Sequence, residues 1–135
     1  MAIMMWNNQF ATGIASIDKQ HQQLVGYVND LYDAMTQNKG DAVTRKVLND
    51  LVGYTVTHFA HEEQYFRKTG YPETAAHIAE HDALKKQVGD FSKKYSAGQA
   101  TVNAELMNFL KNWLSNHILK SDKKYAGHLK SHGAV

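Results

Sequence analysis

The chain contains no cysteine and only one proline, and both scarcities restrict what the protein can be. Without cysteine it has no disulfide, no thiolate metal ligand, no iron–sulfur cluster and no thiol nucleophile. A single proline, Pro72, leaves long stretches in which nothing interrupts a helix. The apolar opening residues stop at Asn7 and Asn8, too early for a signal peptide, and no segment has the length of a membrane span. We therefore expect a cytoplasmic protein without membrane insertion.

An excess of charge of one sign is also missing. The sequence has 15 Lys and Arg against 13 Asp and Glu, and the basic residues are scattered along the chain. This distribution gives no support for a nucleic-acid partner or an anionic membrane surface. The length of 135 residues is typical of one domain. We expect residues 1–135 to form a single domain and the protein to be a monomer.

Apolar residues recur at helical spacing in four long segments, and turn-forming residues separate the segments. Short loops between long helices favour an all-α, antiparallel up-down-up-down four-helix bundle. Asp18 is a plausible N-cap of the first helix, and Pro72 suits the first turn of the third. The four segments are expected to begin near Asp18, Asp41, Pro72 and Thr101 to Asn103, and the first three to stop near Gly40, Gly70 and Gly98.

Segments at both ends of the chain lie outside the expected bundle of residues 18–122 or so. Residues 1–17 are expected to form an N-terminal arm that carries Trp6 and Phe10 and folds over the bundle. Residues from about 123 to 135 are expected to form a loop or frayed tail, because Gly127 and Gly133 interrupt them.

Eight histidines are present, and five of them interrupt the apolar stripes together with two carboxylates. His58 with Glu62, and His77 with His81, are spaced four residues apart, which places both members of each pair on one helical face. The remaining three residues lie on the first helix, on the fourth helix and just beyond it. The seven residues are His21, His58, Glu62, His77, His81, His117 and Asp122.

These seven residues belong to the same end of the predicted bundle. In an antiparallel bundle, the first and third helices start at the end where the second and fourth helices finish. At about 1.5 Å per residue, His58 and His81 lie roughly 12 Å from that end and the others lie nearer. One histidine on an apolar stripe is usually an ordinary core residue. Five imidazoles and two carboxylates buried together, however, require the compensation that a metal provides.

The number and type of these donors limit the metal. Imidazole and carboxylate without thiolate suit a borderline metal such as iron, zinc or copper. Seven side chains exceed the needs of one ion but suit two ions bridged by both carboxylates. If one oxygen species also bridges, two six-coordinate ions have a single vacant position, on the ion with fewer histidines. A small molecule can bind at that position.

The same residues carry a resemblance to the hemerythrin family, and in particular to its single-domain bacterial members. Residues 58–63 have the family's hallmark sequence His-Phe-x-x-Glu-Glu, and residues 70–72 resemble its Gly-Tyr-Pro turn, which precedes the His-x-x-x-His of residues 77–81. His117-Ile118 followed by Asp122 resembles the family's fourth-helix motif. Near the start of the chain, residues 13–14, 17–18 and 20–24 also resemble the bacterial members. The resemblance spans almost the whole chain.

The resemblance implies a division of labour among the seven residues. One iron would be held by His77, His81 and His117, and the other by His21 and His58. Glu62 and Asp122 would bridge the two irons together with an oxo or hydroxo group. Dioxygen would bind reversibly at the iron that has two histidines.

Further residues are assigned by their position relative to these ligands. An apolar oxygen pocket is expected from Leu24, Phe59, Trp113, Leu114 and Ile118, which are also plain core positions. Trp6 either packs on the bundle or closes the mouth of that pocket. Glu63 is expected to face water, with a hydrogen bond to a ligating imidazole as the alternative. His61, His128 and His132 are expected to face solvent and not to bind the metal.

Four functions are compatible with such a centre. The first is reversible oxygen binding, for carriage, storage or delivery to an oxygen-consuming enzyme, without catalysis. The second is oxygen or redox sensing through a separate partner. The third is an enzymatic reaction at the same irons, such as ferroxidase, peroxidase or nitric-oxide reduction. The fourth is metal handling without oxygen chemistry.

Overall fold

The computed structural model describes residues 3–133, and within that range the regular structure is entirely helical. A single turn of 3₁₀-helix in the N-terminal arm precedes the first long helix. A π-helical turn, His117–Asp122, joins the last two helices without a break. The helices are α1 (Ala15–Thr36), α2 (Asp41–Thr69), α3 (Thr74–Ser96), α4 (Ala104–Asn116) and α5 (Lys123–Ser131).

Helices α1 to α4 form the predicted four-helix bundle. The buried residues of α1 include Leu24, Val28 and Leu31, which recur at the three- and four-residue spacing of one helical face. They share a single apolar core with residues of α2, α3 and α4. The all-α bundle expected from the sequence is therefore confirmed. No helix within residues 3–133 is both long enough and apolar enough to cross a membrane.

Local sequence sets the helix ends close to the predicted positions. Asn103 precedes α4, and its side chain accepts a hydrogen bond from the backbone N–H of Leu106 at 2.9 Å, a standard N-cap. Gly70 follows α2 in the left-handed conformation with φ 67°, which a side chain would disfavour. The chain then turns sharply, so that α3 returns alongside α2.

Two predicted helix starts are wrong by a few residues. Helix α1 begins at Ala15, so Asp18 lies in its first turn and is not its N-cap. Asp18 still closes the start of the helix, because its carboxylate accepts hydrogen bonds from the backbone N–H groups of Thr12 and Gly13 at 2.7 and 3.1 Å. Helix α3 begins at Thr74, so Pro72 lies in the preceding turn and not in the first helical turn.

The expectation of a loop from residue 123 onward is also wrong. Residues 123–131 form α5, and its buried residues Tyr125 and Leu129 are spaced four apart. Both are fully buried in a second apolar cluster that includes Ile14, Ile17 and Phe66. Gly127 does not interrupt the helix because tertiary packing outweighs the low helical propensity of one glycine.

The N-terminal arm folds over the bundle through a few specific contacts. The side-chain amide of Asn29 donates to the backbone carbonyl of Met4 at 2.8 Å and accepts from its N–H at 3.0 Å. Lys123 donates to the carbonyl of Gln9 at 3.0 Å, and this contact joins the arm to the start of α5. The arm therefore lies along α1, from Asn29 to the end of the bundle at which α1 begins.

The packing of α5 leads to a test of its place in the fold. We expect Leu129→Ala to lower the free energy of unfolding by about 2–5 kcal/mol, because it removes a fully buried side chain. Urea denaturation of protein with a measured metal content gives this value. The matched control is Leu119→Ala, at a leucine that is 38% exposed, which should change stability far less. Equal and small effects for both variants would show that α5 is not part of the cooperative unit.

Candidate metal centre

All seven predicted ligands meet inside one end of the bundle. Two of them come from α2 and two from α3, each pair four residues apart on the inward face. The others come from the start of α1 and from the π-helical turn after α4. None of the seven side chains is more than 4% exposed. They are His21, His58, Glu62, His77, His81, His117 and Asp122.

Asp122 faces histidines from both halves of this cluster. One of its oxygens, Oδ1, lies 3.0 Å from Nε2 of His77 and 3.0 Å from Nε2 of His117. The other, Oδ2, lies 2.9 Å from Nε2 of His21. One carboxylate therefore directs one oxygen to each side, which is the arrangement of a bridging ligand.

Glu62 is shared in a similar way. Its Oε1 lies 3.2 Å from Nε2 of His58 and 3.2 Å from Nε2 of His81. Its Oε2 accepts a hydrogen bond from the fully buried hydroxyl of Tyr125 on α5. Sequence reasoning missed Tyr125 because it assigned that residue to a loose tail. Its position three residues after Asp122, one helical turn further on, is the signal that was available.

The shared carboxylates divide the donors into two overlapping groups. One group combines Glu62 and Asp122 with His77, His81 and His117, and the other combines the same carboxylates with His21 and His58. Within each group the donor atoms lie within 4.8 Å of one another.

The chemistry of these atoms fits a metal at each position. The facing Nε2 atoms of His21, His77, His81 and His117 are buried and have no hydrogen-bond partner within residues 3–133. Both carboxylate oxygens of Asp122 and Oε1 of Glu62 are likewise buried without a hydrogen-bond partner within that range. Buried polar atoms are rarely left unpaired, because each one costs free energy. Imidazole nitrogens with carboxylate oxygens form a donor set that iron accepts.

Electrostatics keeps both carboxylates ionised. Burial alone would raise the pKa of Glu62 and of Asp122, but the surrounding imidazoles outweigh burial and hold both pKa values below their usual range. Burial would lower the pKa of His117, but Asp122 opposes it and raises that pKa to about 9. Negative charge is thus concentrated in a closed site, where a cation is stabilised.

The π-helical turn explains why Asp122 belongs to the site although it lies five residues after His117. In a regular α-helix, residues five apart point in different directions, so the sequence placed Asp122 beyond the helix. A π-helix has hydrogen bonds from residue i to i+5, and residues five apart then share a side. The turn directs His117 and Asp122 at one another, with Nε2 and Oδ1 at 3.0 Å.

Glu63 does not face water as predicted. It is 9% exposed, and its Oε2 accepts a hydrogen bond from Nδ1 of His81 at 3.0 Å. The alternative, a hydrogen bond to a ligating imidazole, is therefore present. Gln20 and Glu80 hold other imidazoles in the same way and were missed, because sequence spacing does not show contacts between different helices.

The three remaining histidines are not in either donor group. His132 is exposed as predicted, but the expectation of solvent is wrong for His61 and His128, which are half-buried. His61 lies 3.3 Å from the hydroxyl of Ser16, and His128 donates from Nε2 to the carbonyl of Thr69 at 2.9 Å. Packing of α5 against the end of α2 accounts for the burial of His128.

An apolar cavity of about 30 Å³ lies in the bundle core beside these ligands. Four of the five predicted pocket residues line it, namely Leu24, Phe59, Trp113 and Leu114, whereas Ile118 is buried outside the lining. The ring of Phe59 stacks on His81 with centroids 3.7 Å apart, and the ring of Trp113 stacks on His117 at 4.4 Å. The wall of the cavity is therefore in direct contact with the donor residues. The only hydroxyl of the lining, on Thr55, donates to the carbonyl of Leu51.

Trp6 of the arm lies next to one of the donor residues. Its ring stacks on Phe10 at 5.5 Å and lies 6.5 Å from the ring of His21. It does not line the cavity, so its position corresponds to packing over His21 and not to closure of the cavity mouth.

Fold and site together define a four-helix bundle with two overlapping, carboxylate-sharing donor groups in its core. Residues 12–129 match the family model described as the hemerythrin HHE cation binding domain. A bacteriohemerythrin of Methylococcus capsulatus is 42% identical over 93% of this chain and 95% of its own length. A hemerythrin-like protein of Naegleria gruberi is 33% identical over 90% of each chain.

Solved structures agree with these relatives. A wild-type hemerythrin crystal structure superposes with a TM-score of 0.89 at 41% identity, and it covers 95% of this chain and 98% of its own. A leucine-to-tyrosine variant of hemerythrin superposes with a TM-score of 0.91 at 40% identity, over 96% and 98% of the two chains. The chain belongs to the hemerythrin family, whose members bind oxygen at a di-iron site.

The geometry leads to a test of the donor assignment. We expect His117→Ala and His58→Ala each to lower the metal content, because each removes a donor from a different group. Metal analysis of purified protein, with circular dichroism to confirm the helical fold, measures the effect. Lys93→Ala, at an exposed residue of α3, is the control and should keep the full content. Two ions per chain in both histidine variants would contradict the assignment.

Proposed function

We propose that this protein binds dioxygen reversibly at a di-iron centre, for carriage, storage or delivery to an oxygen-consuming enzyme. The observation that carries the proposal is that Glu62 and Asp122 are shared by two donor groups, an arrangement that suits two metal ions better than one. The cytoplasmic location and the monomeric state stay predictions.

The proposed roles follow the two donor groups. His77, His81 and His117 would hold one iron and His21 and His58 the other, and Glu62 and Asp122 would be shared between the two. When bound, two ferrous ions would supply two electrons to dioxygen, and the return of those electrons on release would make the binding reversible.

The cavity supports a small gaseous ligand. A volume of about 30 Å³ exceeds the roughly 10–15 Å³ that one water molecule needs, so a small gaseous ligand has room there. Leu24, Phe59, Trp113 and Leu114 present apolar surface there, and we propose that Ile118 supports this wall from behind. Such a lining disfavours water and charged species at the centre, and it thereby slows the loss of the bound ligand.

The donor set favours binding over oxygen activation. Ferritin-like di-iron sites draw a carboxylate from each of four helices, whereas this centre has two carboxylates among seven donors. Fewer anionic donors stabilise highly oxidised iron less strongly. The chain is therefore better suited to release its ligand unchanged than to cleave it.

An anaerobic optical titration tests the proposal. Protein with a measured iron content is reduced with dithionite, freed of excess reductant, exposed to oxygen and then flushed with inert gas. We expect about two irons per chain, and a visible charge-transfer band that appears with oxygen and disappears on flushing. Lys93→Ala serves as the control and should reproduce the spectrum of the unaltered protein.

Irreversible oxidation on exposure to oxygen, with release of peroxide or water, would overturn reversible binding. The centre would then serve redox catalysis or sensing. Loosely held metal that exchanges freely and forms no oxygen band would instead indicate metal handling.

A further inference from the structure

The outer nitrogens of the metal-facing histidines are not treated alike. On the side with three histidines, Nδ1 of His81 donates to Glu63 at 3.0 Å, and Nδ1 of His117 donates to Glu80 at 3.1 Å. Two carboxylates thus accept hydrogen bonds from the Nδ1 atoms of imidazoles whose Nε2 atoms face the centre. These hydrogen bonds fix the tautomer in which Nε2 carries the lone pair.

On the side with two histidines, no carboxylate within residues 3–133 accepts a hydrogen bond from Nδ1. Nδ1 of His58 donates to the neutral amide oxygen of Gln20 at 2.7 Å. Nδ1 of His21 is buried and has no hydrogen-bond partner within residues 3–133. The two halves of the centre therefore differ in the charge behind their imidazoles as well as in the number of histidines.

The two carboxylates differ in their electrostatic effect on the imidazoles because they differ in exposure. The side chain of Glu63 is 11% exposed, whereas that of Glu80 is 48% exposed and is screened by water. Ser121 donates to both oxygens of Glu80 at 2.8 and 3.0 Å and so fixes its orientation. Arg67 approaches Glu63 only to 3.7 Å, from a mostly exposed position. Glu63 therefore has the larger electrostatic effect on its imidazole.

We propose that Glu63 and Glu80 are positioning residues that make the metal position beside His81 and His117 retain its ion longer than the position beside His21 and His58. A carboxylate that accepts a hydrogen bond from Nδ1 increases electron donation from Nε2 and holds the ring in place, and a neutral amide does this less. The proposal rests on the two-metal centre proposed above, but not on reversible oxygen binding.

Release of iron to a chelator tests whether the two metal positions differ in how long they retain their ions. The fully loaded, reduced protein is mixed anaerobically with excess ferrous chelator, and the coloured complex is followed over time. We expect two phases of equal amplitude. Glu63→Gln should accelerate the slow phase about 10- to 100-fold, since it keeps the shape of the side chain but removes the charge. Glu80→Gln should accelerate the same phase by a smaller factor.

The reverse substitution separates this role from a merely structural one. Gln20→Glu places a carboxylate behind His58, and we expect it to slow the fast phase and leave the slow phase unchanged. A loss of general stability would instead accelerate both phases. Glu105→Gln, at an exposed carboxylate near the start of α4, is the matched control and should change neither phase.

Several results would overturn the proposed difference in metal retention. Release of both irons in one phase, equal acceleration of both phases by Glu63→Gln, or an unchanged fast phase in Gln20→Glu would each contradict it. Fewer than two irons in the loaded protein would overturn it together with the proposed function. Two phases without a reversible oxygen band would overturn oxygen binding alone, and a reversible band with one phase would overturn this inference alone.

Discussion

The rest of the structure depends on one constraint, which is the burial of two ionised carboxylates among five imidazoles. Charged groups in an apolar interior are costly unless partners surround them, and a single missing partner leaves the others uncompensated. Three helices and a π-helical turn must therefore bring their side chains to the same few ångströms of space. The tight turn at Gly70 and the contact of the arm with Lys123 lie at the end of the bundle where these side chains converge.

The sequence allowed the bundle and the seven donors to be predicted because both are encoded by local spacing. His58 with Glu62 and His77 with His81 have the four-residue spacing of a helical face, and the antiparallel order of helices places them at one height. The structure brings the seven donors together, and the substitutions His58→Ala and His117→Ala test whether they bind metal.

What the sequence did not reveal depends on contacts between helices. Glu63, Gln20 and Glu80 look like ordinary polar surface residues until the neighbouring helices show which imidazole each one meets. Helix α5 was missed for a related reason. Gly127 and Gly133 suggested a loop or frayed tail after residue 122. The contacts of Tyr125 and Leu129 with other helices keep this segment helical, and the π-helical turn lets the helix continue to Ser131.

The spread of the donors along the chain has a consequence for the unfolded protein. His21 and Asp122 lie near opposite ends of the sequence, so ions held between them would tie the chain into a loop of about 100 residues. In the chain-entropy description of cross-links, closing a loop of about 100 residues is worth roughly 4.7 kcal/mol for a disulfide. In a protein without cysteine, a pair of metal ions would thus act as its cross-link, and metal retention and resistance to unfolding become one property.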